Sequence, residues 1–283
     1  MQMLCSSEAA RIFFMIPLTT ASEKNVFVPL IDALAKKGHD VTVASVKKSK
    51  YESKTIKEFI PLPNIDEFMG DFSKPLEGRS EGIMMWLTFS PELFEAPSCE
   101  KVYNDANFKR AINEKYDLVV VNSYFQYCFT PILPKLGAPF VVVSSSAPRN
   151  GVAAATGGVL PASFVPNPLI PMTADMNFGQ RTLNFLFDTY WRLYEIYSYS
   201  SMGDKVAAKY LGEGLPRAVD IEKNASLVLT NSHFVLNWPV PALPDMVEVG
   251  GMHCVPPKPL PKVSRKKGLL ITITEKFSFL NTR

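Results

Sequence analysis

The hydrophobic pattern begins at Ile12–Leu18 (IFFMIPL), a short continuous apolar run carrying two phenylalanines. Such a run marks a strand buried on both faces. Between Asn25 and Lys37, Val26, Phe27, Leu30 and Leu34 recur at helical spacing, and Gly38 supplies a stop. Asp40–Val46 (DVTVASV) is rich in β-branched residues and predicts a second strand. Strand, helix and strand within about 35 residues make a βαβ unit, hence parallel strands and a right-handed crossover.

The pattern continues with a third strand over Ile56–Leu62 and helices over Ile83–Leu93 and Val102–Asn113. Tyr116–Val121 (YDLVVV) predicts a buried strand, Phe125–Leu136 its crossover helix, and Phe140–Val143 the next strand after a Gly137-Ala138-Pro139 turn. Gly151–Pro171 is small, Pro-rich and predicted to be a surface loop. Asn177–Met202 predicts a long helix with Phe178, Leu183, Phe185, Leu186, Tyr190, Trp191, Tyr194 and Tyr197. That aromatic stripe reads either as core or as the wall of a pocket. Leu227–Thr230 is the last recognisable strand. The whole is a doubly wound, Rossmann-like α/β pattern, which binds ligands beyond the carboxyl ends of its strands.

Composition adds limits. Thirty Lys and Arg against 27 Asp and Glu leave a net charge of +3, too small to argue for nucleic acid, and no nucleic-acid-reading motif occurs. The 23 prolines crowd into 161–171 and 239–261, which must be extended or turning. Cys5, Cys99, Cys128 and Cys254 are scattered, without Cys-x-x-Cys or a His at metal spacing. A zinc site is therefore not expected; four separate thiols and one disulfide in an oxidising lumen both stay open. Asn224-Ala225-Ser226 is a glycosylation sequon, with meaning only in a secreted chain. No stretch reaches the 18 or so apolar residues of a membrane-spanning helix. Met1–Ala10 lacks the basic start of a signal peptide; Ile12–Leu18 as its apolar region, cleaved near Thr20-Ala21-Ser22, is the alternative to a first strand.

Ala225–Pro261 carries the most specific motifs. A strand ends in Asn231-Ser232, followed by Trp238-Pro239-Val240-Pro241, then Glu248–His253 (EVGGMH), then Lys258–Pro261 (KPLP). This succession resembles the end of the N-terminal half of the animal UDP-glucuronosyltransferase-like UDP-glycosyltransferases, and Pro161–Pro166 (PASFVP) is similar to another element of that family. The resemblance covers about residues 11–261. It implies a two-domain GT-B enzyme, of which 11–255 is the Rossmann-like acceptor-binding half. Residues 1–10 would be a signal-peptide remnant or disordered, and 256–283 a linker and atypical tail.

The implied reaction moves a hexosyl or glucuronosyl group from a UDP-sugar to a small lipophilic acceptor, with inversion. The family's Gly-rich donor signature does not occur in this sequence. The chain is thus expected to bind no cofactor, to use a UDP-sugar as co-substrate only when a donor domain is supplied, and to be inactive alone. A competing reading is a non-catalytic domain that holds lipophiles or pairs with a full-length UDP-glycosyltransferase. The family implies the endoplasmic reticulum lumen or membrane, although a clear signal peptide and membrane helix are not legible here.

In the family the acceptor hydroxyl is deprotonated by a His, six residues before a Pro-Leu, which an Asp after a later strand orients. Counting back from Pro29-Leu30 puts Glu23 at the His position, and Asn122 follows the Tyr116–Val121 strand at the Asp position. The resemblance also places Ser22, Phe125, Phe178 and Trp191 along the acceptor cleft. A carboxylate is a weaker base than imidazole by roughly 3 kcal/mol of proton affinity, a gap that an apolar cleft narrows. A neutral Asn beside it avoids two adjacent negative charges. The plainer alternative makes Ser22 a helix N-cap and Glu23 a first-turn acid favoured by the helix dipole.

Overall fold

The computed structural model describes residues 9–51, 53–63, 92–124, 126–235, 237 and 240–254. The chain divides into one compact unit, Met1–His253, and a second, Cys254–Arg283, of which only Cys254 is described. The helix expected over Ile83–Leu93 falls almost wholly outside these residues, and Phe125 lies outside them.

Seven parallel strands form one sheet: β1 (Arg11–Met15), β2 (Asp40–Ala44), β3 (Lys57–Phe59), β4 (Leu118–Asn122), β5 (Phe140–Ser144), β6 (Leu227–Thr230) and β7 (Met246–Glu248). Their order is β3-β2-β1-β4-β5-β6-β7. The chain winds outward from β1 in one direction and then, from β4, in the other, so the switch point lies between β1 and β4. Val119, Val120 and Val121 pair with Phe13, Phe14 and Met15 of β1 there. Both edge strands have only three residues, which limits the unpaired backbone they expose.

α1 (Ala21–Lys36) covers one face of the sheet. Its Val26, Phe27, Ile31 and Ala35 pack on Ile12, Phe14, Val41, Val43, Val120 and Val143. The helix ends in a Schellman turn: Gly38 N–H donates to Ala35 O at 3.0 Å and His39 N–H to Leu34 O at 3.3 Å. Gly38 takes φ +94°, a backbone conformation that side chains with a Cβ rarely adopt.

The opposite face is covered by α2 (Glu92–Asn104), α3 (Ala106–Ala111), α5 (Asn150–Ala155) and α7 (Ser200–Leu211), and α6 (Phe178–Tyr194) lies against α5. Here the pattern needs correction. The helix expected over Val102–Asn113 is two, because the Asp105 side chain accepts from Phe108 N and starts α3 afresh. The long crossover helix expected after β4 is a 3₁₀ turn (Thr130–Ile132) and a single α turn, α4 (Leu133–Leu136). Pro131 and Pro134 lack the N–H that would continue a helix through them. Asn177 caps α6 as the pattern predicts, but the helical run goes on to Leu211, with a π-helical turn at Glu195–Tyr199 between α6 and α7. A four-residue helix, α8 (Ala218–Ile221), precedes β6.

Cys99 of α2 and Cys128 after β4 are joined in a disulfide, both fully buried. Of the two alternatives left by the sequence, the disulfide is the one observed. Closing a loop of this length removes about 3.5 kcal/mol of unfolded-state entropy in the chain-entropy treatment. α7 lies so close beneath this segment that a Cβ on Gly203 would stand 2.5 Å from the Tyr127 carbonyl carbon.

Candidate functional site

Beyond the carboxyl ends of β1 and β4 the chain places a cluster of short polar side chains. Pro17 helps to end β1, and α1 begins four residues later at Ala21 with Thr20 as its N-cap; Ser22, expected in that role, is exposed in the first turn. Thr20 and Glu23 form a capping box. The Thr20 hydroxyl accepts from Glu23 N at 3.1 Å, and a Glu23 carboxylate oxygen accepts from Thr20 N at 2.9 Å. The other carboxylate oxygen accepts from the Ser145 hydroxyl at 3.3 Å. Glu23 is thus held at both oxygens by its own helix start and by the end of β5.

Asn122 ends β4 opposite Val143 of β5. Val120 and Val143 both face α1, so by the two-residue period of a strand Asn122 and Ser145 face that side as well. Asn122 is 2% exposed, yet neither its amide nitrogen nor its carbonyl oxygen has a hydrogen-bond partner among the described residues. A buried amide left unpaired costs about 1–3 kcal/mol. Glu23 and Asn122, read from the sequence as one pair, therefore do share a face and an edge of the sheet.

Asn231, after β6, extends this edge. Its amide donates to Ser145 O at 3.1 Å, and its carbonyl accepts from Gly251 N at 3.1 Å. Gly250 is obligatory beside it, because a Cβ there would stand 2.6 Å from Ser232 O. The Glu248–His253 motif is thereby clamped against the carboxyl edge, and Met252 packs into the α1-side core.

A cavity of about 70 Å³ lies one strand further along, between the segment after β5 and α6. Arg149, Gly151, Asn167, Asp188, Trp191 and Glu195 contribute to its wall, with Leu160, Val165 and prolines. A neighbouring groove of about 490 Å³ shares Asn150, Leu160, Asp188 and Arg192 and adds Val159, Phe185 and Leu193. The acceptor cleft was expected between β1, β4 and α6; neither Glu23 nor Asn122 lines these two hollows, which open beside β5.

The cavity floor is a network of buried charges that sequence reasoning missed. Arg149 lies 3.3 Å and Arg192 3.1 Å from the Glu195 carboxylate, and Arg149 also donates to Ser123 O at 2.8 Å. The π turn carries Glu195 inward, and Gly151 makes room: a Cβ there would be 2.7 Å from a Glu195 oxygen. Glu222 accepts from the Gln126 amide, and burial, with the nearby Glu195 charge, pushes its carboxyl up to about 8. Burial also raises the Asp188 carboxyl against hydrogen bonds from Asn167 and Asn150. Arg149 and Arg192 thus both face Glu195, beside a Glu222 whose raised carboxyl favours its neutral form. Trp191 Nε1 and Arg149 Nε have no partner among the described residues. One signal was present in the sequence: Glu195 is an acid inside an aromatic helix.

The remaining expected contacts divide. Trp191 lines the cavity. Phe178 is 86% exposed and Ser22 points to solvent, so neither borders these hollows. Most of the α6 stripe is not core: Phe185, Leu186 and Tyr197 are exposed, whereas Phe187 is buried. Glu95, Cys99 and Cys128 come within 4.8 Å of one another, but the two sulfurs are bonded to each other and offer no thiolate to a metal. Among the described residues no helix is long and apolar enough to cross a membrane.

The profile of the UDP-glucoronosyl and UDP-glucosyl transferase family matches residues 19–267. The chain belongs to that family. Among its relatives, UDP-glucosyltransferase 2 of Dactylopius coccus is 26% identical over 273 residues, covering 92% of this chain and 50% of the relative. UDP-glucuronosyltransferase 2A1 of Mus musculus is 29% identical over 263 residues, covering 82% and 48%. This UDP-glycosyltransferase chain spans about half the length of the curated relatives it matches. A solved calicheamicin glycosyltransferase, CalG4, aligns with 12% identity and a TM-score of 0.45 over 86% of this chain and 51% of that one.

Proposed function

We propose that this chain supplies the acceptor side of a GT-B UDP-glycosyltransferase, holding a small lipophilic molecule whose hydroxyl receives a hexosyl or glucuronosyl group. In that reaction the acceptor oxygen loses its proton and displaces UDP from the anomeric carbon. The observation that carries the reading is the family match over residues 19–267; Glu23 and Asn122, which the resemblance puts at the two proton-handling positions, lie at the carboxyl edge of the switch point. The acceptor body lies in the Trp191 cavity and its adjoining groove, whose combined space is of the size that drug-like ligands fill.

Glu23 serves here mainly as the lock on the α1 start. Both carboxylate oxygens already accept hydrogen bonds, one from the helix cap. Asn122 is buried at the end of β4, its amide without a hydrogen-bond partner among the described residues. The buried disulfide supports an oxidising compartment for the chain. Fusion to the donor half of UDP-glucosyltransferase 2 of Dactylopius coccus gives the test. Transfer of glucose to a simple phenol is expected, with Trp191→Ala raising KM for the phenol about tenfold while UDP-glucose KM stays unchanged. A folded fusion that turns over no phenol or lipophilic alcohol contradicts the proposal.

A further inference from the structure

We infer that Asn224 is a site of N-linked glycosylation, at the amino end of the sheet, opposite the edge that bears Glu23 and Asn122. Asn224-Ala225-Ser226 satisfies the acceptor sequence, with Ala at the middle position where Pro would block it. In the fold Asn224 closes the 3₁₀ turn Glu222–Asn224, and both Asn224 and Ser226 are exposed. The segment sits at the amino end of β6: Ser226 N–H donates to the carbonyl of Phe140, the first residue of β5, at 2.9 Å. All strands are parallel, so this edge is opposite to the one bearing Glu23, Asn122 and Ser145. A glycan here stands away from Glu23, Asn122 and Ser145, while Glu222, two residues before it, turns inward.

Two further observations point the same way. The Cys99–Cys128 disulfide belongs to an oxidising compartment, the kind in which this modification is made. A groove of about 390 Å³ runs beside Asn224, with Leu133, Pro134, Pro139, Phe140, Pro216 and Ile221 in its wall. The apolar face of the first sugar would cover that shelf, which the protein otherwise leaves to water.

The chemistry balances with one co-reactant, a lipid-linked diphospho-oligosaccharide. Asn224 Nδ2 bonds to the anomeric carbon of the first sugar, the diphosphate lipid leaves with the electron pair of its C–O bond, and one amide proton passes to a base of the transferring enzyme. The amide keeps its second hydrogen, so the existing 3.3 Å bond from Nδ2 to Asp220 O remains available.

The test is the full chain expressed in insect cells and examined by peptide mass mapping with and without a peptide N-glycosidase, reading Asn224 and the Cys99–Cys128 linkage in one digest. Chains carrying the disulfide are expected to carry a glycan at Asn224, and enzymatic release to convert that residue to Asp. Asn224→Gln and Ser226→Ala abolish the glycan, and Ser226→Thr keeps it. Disulfide-bonded chains with unmodified Asn224 overturn the inference. So do chains with both thiols free, since they remove its compartmental premise. Because the proposed transferase reaction uses neither Asn224 nor Ser226, its failure would leave this outcome readable.

Discussion

Two buried charge networks flank the sheet, and they are built to different standards. On the α1 side, Lys24 and Glu58 pair with side-chain exposures of 3% and 7%. Glu58 also accepts from the Ser45 hydroxyl, Ser49 N and the Tyr51 hydroxyl, and Lys24 donates to Lys47 O. On the other side, the half-buried Arg149 and Arg192 with Glu195, Glu222 and Gln126 leave Arg149 Nε, Gln126 Oε1 and the neighbouring Trp191 Nε1 without a partner among the described residues. The first network borders no described cavity and ties β2, β3 and α1 together. The second forms the floor of one. Saturated polar groups rigidify a core; unsaturated ones beside a hollow hold back interactions for a ligand, at a cost in stability.

The comparison breaks most visibly if the saturated network is cut. Lys24→Met leaves Glu58 buried without its cation and is expected to cost about 3 kcal/mol, since removing one partner of a buried pair does so typically. Chemical denaturation measures this. A loss below about 1 kcal/mol would mean that water reaches Glu58 and that the contrast drawn here is false.

The second network should declare itself through pH. Glu222 has its folded-state value raised to about 8, above the ordinary carboxyl near 4.5. The folded protein therefore holds that proton more tightly than the unfolded chain. Its contribution to stability is complete below about pH 4.5 and is lost as pH rises through 8, a difference of order 5 kcal/mol. Asp188 adds a slope of the same sign. Thermal melts from pH 5 to 8 should show Tm falling in the native chain and falling less in Glu222→Gln. Equal slopes would show that Glu222 is ionised in the folded state.

A smaller effect concerns the cavity itself. Arg149→Lys keeps the charge but loses the planar fork that reaches Glu195 and Ser123 O together. In the fusion enzyme it is expected to raise phenol KM several-fold, with little change in Tm. A large drop in Tm with unchanged KM would move Arg149 into the structural class occupied by Lys24.

The sheet was legible because its strands are continuous apolar runs and its first crossover keeps a clean helical period. Boundaries moved where local chemistry outweighed pattern: Thr20 rather than Ser22 caps α1, since only Thr20 meets Glu23 three residues on. The polyvaline strand was read two residues early, because Tyr116 and Asp117 lead into β4 rather than belong to it. Motif spacing pointed to Glu23 and Asn122, which share the carboxyl edge of the sheet but line neither hollow. Arg149, Glu195 and Glu222 were not legible, because they meet across sequence distances no local period reports. Phe178 misled for the opposite reason: its spacing suits a buried stripe, yet the first turn of α6 projects it into solvent.

The most direct measurement compares three fusion enzymes on one phenol: the native acceptor sequence, Glu23→Gln, and Glu23→His combined with Asn122→Asp. If Glu23 locks the helix start, Glu23→Gln leaves kcat within about twofold and lowers stability by about 0.3–1 kcal/mol. The paired His and Asp substitution then raises kcat at least tenfold, the lower range of what an oriented general base contributes being about a hundredfold. A hundredfold loss in Glu23→Gln would contradict the account and make Glu23 the base.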